Sequence, residues 1–465
     1  MFSRFQAQPK QTRFRQEPHI EAPAAATPAP KPAAAPAEPP PVDHRLELKV
    51  RIHQQLLEVM NLGAIEKLEP EQFRSEAGRL VEELLASEQA SLNAREKQQF
   101  VSDVLDELLG LGPLEPLLKD ATVSDILVNT HKQVVVERRG RLELTQVRFK
   151  DERHLLRIIN KIVAAVGRRV DESQPLVDAR LADGSRVNAV VPPIAVDGSL
   201  LSIRKFSRTP YSLDRLVEIG SMAPAVAELL AAVVRGRLNV LISGGTGSGK
   251  TTMLNAMSAA IDHRERIVTI EDAAELQLQQ PQVARLETRP PNIEGRGEIT
   301  QRDLVRNALR MRPDRIILGE CRSGEAFDML QAMNTGHDGS MSTIHANTCR
   351  DAISRLEQMI GMAGIEMPMR AIRAQIASAL DVVLQLERMG DGRRRLVSVY
   401  EVTGMEGDVV TMNEIFAFRR ENTDAEGNIH GHFWATGVRP RFHAELAARG
   451  IHLPSNLFSP DQPIG

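Results

Sequence analysis

Gly244-Gly245-Thr246-Gly247-Ser248-Gly249-Lys250-Thr251 fits the pattern G-x-x-x-x-G-K-[ST], and each residue type answers a physical need. Glycines let successive backbone N–H groups turn inward on a polyphosphate, because no Cβ blocks the positive φ angles of the turn. Lys250 brings a point charge to the outer phosphates, and the Thr251 hydroxyl offers a hard oxygen to Mg²⁺. Thr252 follows them among the expected nucleotide contacts. The flanks complete the reading. Leu238-Asn239-Val240-Leu241-Ile242-Ser243 is a short apolar run suited to a buried parallel strand, and Thr251-Thr252-Met253-Leu254-Asn255-Ala256-Met257 opens a helix. A chance lysine in a glycine-rich turn would need no such setting, whereas a helix N-terminus adds its own attraction for anions. The stretch reads as a nucleotide site.

Composition bounds the remainder. A chain of 465 residues has room for two or three domains. The formal net charge of −3 supplies no general attraction to nucleic acid, so no direct nucleic-acid binding is expected. Cys321 and Cys349 are the two cysteines, too few for a cysteine zinc cluster or a disulfide framework. Residues 1–16 contain no apolar signal-peptide core, and no apolar run reaches the length of a membrane span.

Residues 1–42 read as a disordered tail, a basic-aromatic tip followed by a proline/alanine tract. The tip invites peripheral association with anionic lipid or a partner, set against a merely solvated tail. Over 43–112 the apolar spacing is helical, with Leu48, Ile52, Leu56 and Met60 on one stripe and Val101, Val104, Leu105 and Leu108 on another. A small helical bundle follows from it. Residues 113–210 alternate strand patterns with one helix stripe (Leu155, Ile158, Ile159, Ile162, Val163), giving a compact α+β domain. A linker is expected at 211–222, then alternating strands and helices of an α/β domain over 223–419, then a C-terminal extension over 420–465.

Polar residues recur where apolar strands end in the α/β part. Arg266-Ile267-Val268-Thr269-Ile270 runs into Glu271-Asp272, Arg315-Ile316-Ile317-Leu318-Gly319 into Glu320, and Ser340-Met341-Ser342-Thr343-Ile344 into His345, with His337 just before the last run. Open α/β sheets bind ligands at such ends. Hydrolysis needs one carboxylate to orient water and another to hold hydrated Mg²⁺. Glu320 and Glu271 are the candidates for the chemistry, and Thr251, Glu271, Asp272 and Glu320 for the metal. His337 and His345 would sense the outermost phosphate, although His337 has an alternative as a structural hydrogen bonder. Arg186 and Arg204 lie at or beside strands, where position alone makes them surface charges.

Taken in order, residues 244–251, Thr269-Ile270-Glu271-Asp272, Leu309-Arg310-Met311-Arg312-Pro313-Asp314, Gly319-Glu320 and Asn334-Thr335-Gly336-His337 through His345-Ala346-Asn347 resemble the type II/IV secretion ATPase superfamily, specifically the CpaF/TadA-type motor of Tad (type IVc) pili. The resemblance spans roughly residues 45–418. It implies a RecA-like P-loop ATPase domain preceded by an α+β, PAS-like N-terminal domain, assembled as a homohexamer that takes ATP and Mg²⁺. It implies a cytoplasmic protein peripheral to the bacterial inner membrane, driving pilus assembly and retraction through inner-membrane platform proteins. Glu271 and Asp272 then match an Asp box, Gly319-Glu320 an atypical Walker B motif, and His337 and His345 a His box. Arg186 and Arg204 match phosphate-sensing arginines of the N-terminal domain. Gly319 stands where a Walker B aspartate is usual, which shifts the burden to Glu320, and the tetracysteine module of many assembly ATPases is absent. The alternatives are a type IV secretion or conjugation motor moving protein or DNA, and a nucleotide-dependent scaffold with little turnover.

Overall fold

The computed structural model describes residues 48, 51–52, 55–56, 70–88, 92–206, 211–292 and 295–460. The expected tail at 1–42 and the end of the chain at 461–465 lie outside the described residues. Contacts divide the chain into two compact units, Met1–Arg51 and Ile52–Gly465. In the first, Leu48 and Arg51 are helical.

In the second, helices α1 (Pro70–Ser87) and α2 (Ala94–Leu109) pack on each other. Ala77, Val81 and Leu85, spaced by four, are buried on α1, as are Phe100 and Val104 on α2. The Asn93 side chain caps α2 by accepting the Glu96 N–H, and the Glu96 carboxylate accepts the Asn93 N–H, completing a capping box. After α3 (Glu115–Lys119) come β1 (Val123–Thr130), β2 (Gln133–Arg138), β3 (Arg141–Leu144), α4 (Glu152–Ala165), β4 (Leu176–Arg180), β5 (Arg186–Val190) and β6 (Leu200–Arg204). The six strands form one antiparallel sheet in the order β3-β2-β1-β6-β5-β4. Helix α4 buries Leu155, Ile158, Ile159, Ile162 and Val163 in the core beneath it. At roughly 1.5–3 kcal/mol for each large side chain buried, this stripe outweighs any surface ion pair in holding the layer together. Strand β4 gave no signal in the sequence. It is an edge strand with a single buried residue, Val177, so neither a continuous apolar run nor full alternation marks it.

Pairing register has a consequence on the other face. Leu142 pairs with Glu137, Glu137 with Asp125, Asp125 with Arg204, Arg204 with Arg186, and Arg186 with Arg180. Six residues, one per strand, thus make a single row across the sheet.

The larger sheet is reached through α5 (Leu213–Glu218) and α6 (Pro224–Arg235). Residues 211–222, expected as a linker, hold α5 under a Ser212 cap, with Leu216 and Met222 in the core. Then follow β7 (Val240–Gly244), α7 (Lys250–Ser258), β8 (Ile267–Glu271), β9 (Val283–Glu287), α8 (Gln301–Ala308), β10 (Arg315–Cys321), α9 (Glu325–Asn334), β11 (Met341–Ile344), α10 (Cys349–Met362) and α11 (Met369–Ala379). The chain closes with β12 (Val382–Arg388), β13 (Arg394–Glu406), β14 (Val409–Thr423), β15 (Ile429–Ala435) and α12 (Phe442–Ala448). Nine strands order as β15-β14-β13-β12-β7-β11-β10-β8-β9, parallel from β12 to β9 and antiparallel from β12 to β15.

Side chains of β7 alternate between two cores, Val240 and Ile242 to one face and Leu241 to the other. Both faces are covered, which is why the strand reads as a continuous apolar run. The boundary expected at 419 falls within β14, whose partner β15 comes from the supposed extension. Phe442, Leu446, Leu457 and Phe458 pack in the core beside α6, so residues 429–458 complete the sheet and its cover.

Candidate active site

Parallel strands β7, β8, β10 and β11 deliver Gly244, Glu271, Glu320 and His345 to one edge of the sheet. There they meet the charged row of the N-terminal sheet across a cleft of about 2670 Å³. Residues 246–252 line it, with Glu271, Asp272, Gly319, Glu320 and His345; so do Asp125, Glu137, Arg180, Arg186 and Arg204 from the facing row.

The glycine loop ends at Gly249, whose φ of 98° suits glycine, and no side chain caps the helix that starts at Lys250. The first backbone N–H groups of α7 are thus left without a side-chain acceptor at the cleft. Lys250 Nζ donates to the carbonyls of Gly244 at 3.0 Å and Gly245 at 3.1 Å. Burial lowers its pKa, with Glu320 pulling the other way. Gly319 is explained by a close approach: a Cβ there would stand 3.0 Å from Cγ of Glu271. An aspartate in its place would push on the neighbouring carboxylate.

Glu271 is buried, and burial raises its pKa. Its Oε2 accepts the N–H groups of Glu275 at 2.7 Å and Leu276 at 2.8 Å, while Oε1 is buried with no hydrogen-bond partner among the protein atoms. Asp272 and Glu320 share one arginine: Arg322 reaches Asp272 at 2.8 Å and Glu320 at 2.7 Å. Among the described residues no three His, Cys, Asp or Glu side chains converge to hold a metal by themselves. Hydrated Mg²⁺ needs no such cage, since one or two carboxylates plus phosphate oxygens suffice. Thr251 and the unpartnered oxygen of Glu271 supply hard donors of the right kind, so this set of residues fits the ion.

Each arginine of the facing row has an acidic partner. Arg186 meets Glu275 at 2.6 Å and Arg204 meets Asp125 at 3.2 Å. Arg180 meets Glu287 at 3.0 Å and donates to the Ala274 carbonyl at 2.5 Å. Glu137 meets Arg388 at 3.2 Å and Arg394 at 3.1 Å. Arg394 also donates to the Gly247 carbonyl at 2.7 Å.

The structure brings every expected site residue to this cleft or its loop except His337. Helix α9 ends at Asn334, and the turn after it carries the His337 ring back to the helix, where Nδ1 meets the Ala332 carbonyl at 3.2 Å. Cleft residues that sequence reading missed are Arg322, Arg180, Glu137, Arg388 and Arg394. Arg322 carried a signal, lying two residues past Glu320 and so on the same side of an extended chain. The others carried none, because strand pairing alone puts them there. Cys321 and Cys349 are both buried thiols, pushed up to about 12 by burial, and take no part.

Residues 107–415 match the family described as "Type II/IV secretion system protein". A protein of Mycobacterium tuberculosis named as a candidate conjugal transfer protein is 42% identical over 325 residues, 69% of this chain and 92% of that relative. The conjugal transfer protein TrbB of Rhizobium radiobacter is 34% identical over 294 residues, 62% of this chain and 86% of its own length. Among solved structures, the VirB11 ATPase of the Brucella suis type IV secretion system, in complex with sulphate, is 30% identical with a TM-score of 0.34, covering 62% of this chain and 95% of that one. The Mycobacterium tuberculosis and Rhizobium radiobacter relatives are both named for conjugal transfer, whereas the motif set resembles that of a pilus motor. Among the described residues no helix is long and apolar enough to cross a membrane.

Proposed function

The chain belongs to the type II/IV secretion system protein family and is a secretion- or conjugation-system motor ATPase, and from that premise we propose that it uses ATP to move protein or DNA through a type IV machine. One observation carries the reading: the phosphate loop and a row of arginines from a separate sheet face each other across one cleft. A nucleotide there is gripped from both sides, so its hydrolysis changes how the two sheets attract each other. A ligand shifts a conformational equilibrium only through unequal affinity for the two states, and loss of the outermost phosphate supplies that inequality.

In this reading the nine-stranded part is a RecA-like engine and the N-terminal sheet a PAS-like cover. The backbone of residues 244–249, Lys250, Thr251 and Thr252 hold the phosphates. Glu320 turns a water toward the outermost phosphorus and takes its proton, and Glu271 shapes the floor beside it. Arg204 and Arg186 leave Asp125 and Glu275 to meet the transferring phosphoryl group, and His345 senses it from the end of β11. Thr251 and Glu271, with Asp272 and Glu320 behind them, would hold Mg²⁺, which would supply charge neutralisation of the phosphates. His337 is left as a structural hydrogen bonder. The protein works as a homohexamer in the cytoplasm, against the inner-membrane components of its machine.

A Tad-type pilus motor acting on platform proteins is the second reading, carried by the ordered motif set from residue 244 to Asn347 and by the lack of a tetracysteine module. Steady phosphate release by the purified chain tests the engine, since a nucleotide-dependent scaffold would release almost none. Deleting the gene in its host and scoring DNA or protein transfer against surface filaments separates the two machines. Intact transfer with lost filaments would overturn the first reading.

A further inference from the structure

Glu137 lies at the end of the charged row where the β2–β3 hairpin meets the tip of the β12–β13 hairpin. Its side chain is only 12% exposed, and each carboxylate oxygen holds a different arginine: Oε2 accepts from Arg388 and Oε1 from Arg394. Arg388 also donates to the Gly140 carbonyl. The hairpin tips meet glycine on glycine. Gly140 has φ 80°, and a Cβ on it would stand 2.7 Å from the Gly392 carbonyl oxygen, so neither the backbone nor the space admits a side chain.

From this seat Arg394 Nε reaches the phosphate loop and donates to the Gly247 carbonyl at 2.7 Å. A peptide unit is planar, with its carbonyl and the following N–H on opposite sides. Holding the Gly247 oxygen outward therefore turns the Ser248 N–H inward, where it points to the Gly245 carbonyl at 3.3 Å. An acid this near an anion site would ordinarily weaken it. Here two guanidiniums outnumber the single carboxylate, and that largely buried carboxylate is fixed by a charge-assisted hydrogen bond on each oxygen.

We propose that Glu137 is a positioning residue for the phosphate loop: it aims Arg394 at Gly247, and through that peptide plane holds the Ser248 N–H on the Gly245 carbonyl, fixing the turn that receives phosphate. The N-terminal sheet thereby sets the shape of the loop as well as covering it. The proposal rests on the loop binding ATP.

Equilibrium binding of a fluorescent ATP analogue to the full chain tests it, alongside kcat, KM and thermal melting without nucleotide. Glu137→Gln and Arg394→Gln should each weaken binding about tenfold and raise KM, with kcat within about twofold and a cooperative melt retained. The double variant should bind no worse than the weaker-binding single, because both act through one contact. Glu137→Asp, with its charge one methylene short, should fall between wild type and Glu137→Gln, and Gly140→Val should reproduce the loss by unseating the hairpin. Additive losses, or binding that is unchanged or tighter in Glu137→Gln, overturn the proposal. Lys250→Ala reports on the underlying reading separately: unimpaired binding in that variant would mean the loop is not the site.

Discussion

The floor of the cleft, residues 244–251, takes its shape from consecutive backbone, whereas the facing wall takes its charges from strands that contribute one residue each between Asp125 and Arg204. The floor is local and rigid by construction: a buried strand runs into a glycine turn and a helix. The wall is held by ion pairs whose arginines are far more exposed, 40% for Arg186 and 55% for Arg204. Exposed pairs are individually weak, about 0–1 kcal/mol, so these partners exchange easily. Under the proposed function, binding belongs to the floor and switching to the wall. Glu137 departs from that division, being the buried end of the wall and the one tied to the floor.

The largest expected effect lies on the wall. Arg204→Ala should lower turnover by at least about 10³-fold, the low end for an arginine placed on a transferring phosphoryl group, while the protein stays folded. Arg186→Ala should act in the same direction. A fluorophore pair on the two sheets should lose the difference in separation between ATP-analogue and ADP states. Wild-type turnover in both variants would return the row to ordinary surface charge and erase the contrast.

Glu320→Gln tests the edge of the floor where chemistry is expected. Its turnover should fall by at least about 10²-fold with ATP affinity kept, read by single-turnover hydrolysis beside equilibrium binding. Near-normal hydrolysis would move the base to Glu271. Lys250→Ala should show the opposite profile, weakening ATP binding by about 10–100-fold for the loss of charge-assisted contacts. If the Lys250 variant instead bound normally and failed only in turnover, the division between binding floor and switching wall would need redrawing.

A smaller effect belongs to the far end of the same sheet. Asp381 precedes β12 and accepts the N–H of Asn239 at 2.7 Å; burial raises its pKa from 3.8 to about 6. The folded state therefore holds this proton more tightly than the unfolded chain. Its contribution to stability is full below 3.8 and is lost as pH rises through about 6. Asp381→Asn should flatten the fall of the urea midpoint across that window and leave ATP affinity unchanged. A changed affinity would show that the far end communicates with the cleft.

The floor was legible because its chemistry is contiguous. Glycines, lysine and threonine follow one another between a strand and a helix, and the acids at 271, 272 and 320 each close an apolar run whose end marks the ligand edge. Local backbone preference and short-range spacing determine all of that, and a single chain of residues records them. The helix stripe from Leu155 to Val163 was legible for the same reason.

Tertiary structure decided the rest. Arg186 and Arg204 are 18 positions apart in sequence, and only antiparallel pairing makes them neighbours in a row that also contains Arg180. Glu137 meets Arg388 and Arg394 across some 250 residues, a contact no periodicity encodes. Strand β15 and helix α12 joined the core because their apolar residues found β14 and α6, although short polar-flanked segments carry too little local signal to announce it. His337 and His345 are alike in sequence, yet a turn after α9 sends one ring back to a helix carbonyl and leaves the other at the cleft. Sequence by itself specified which groups could bind phosphate, because that depends on neighbours along the chain. Which charges face the phosphate loop across the cleft depended on strand register, which only the packed sheets establish.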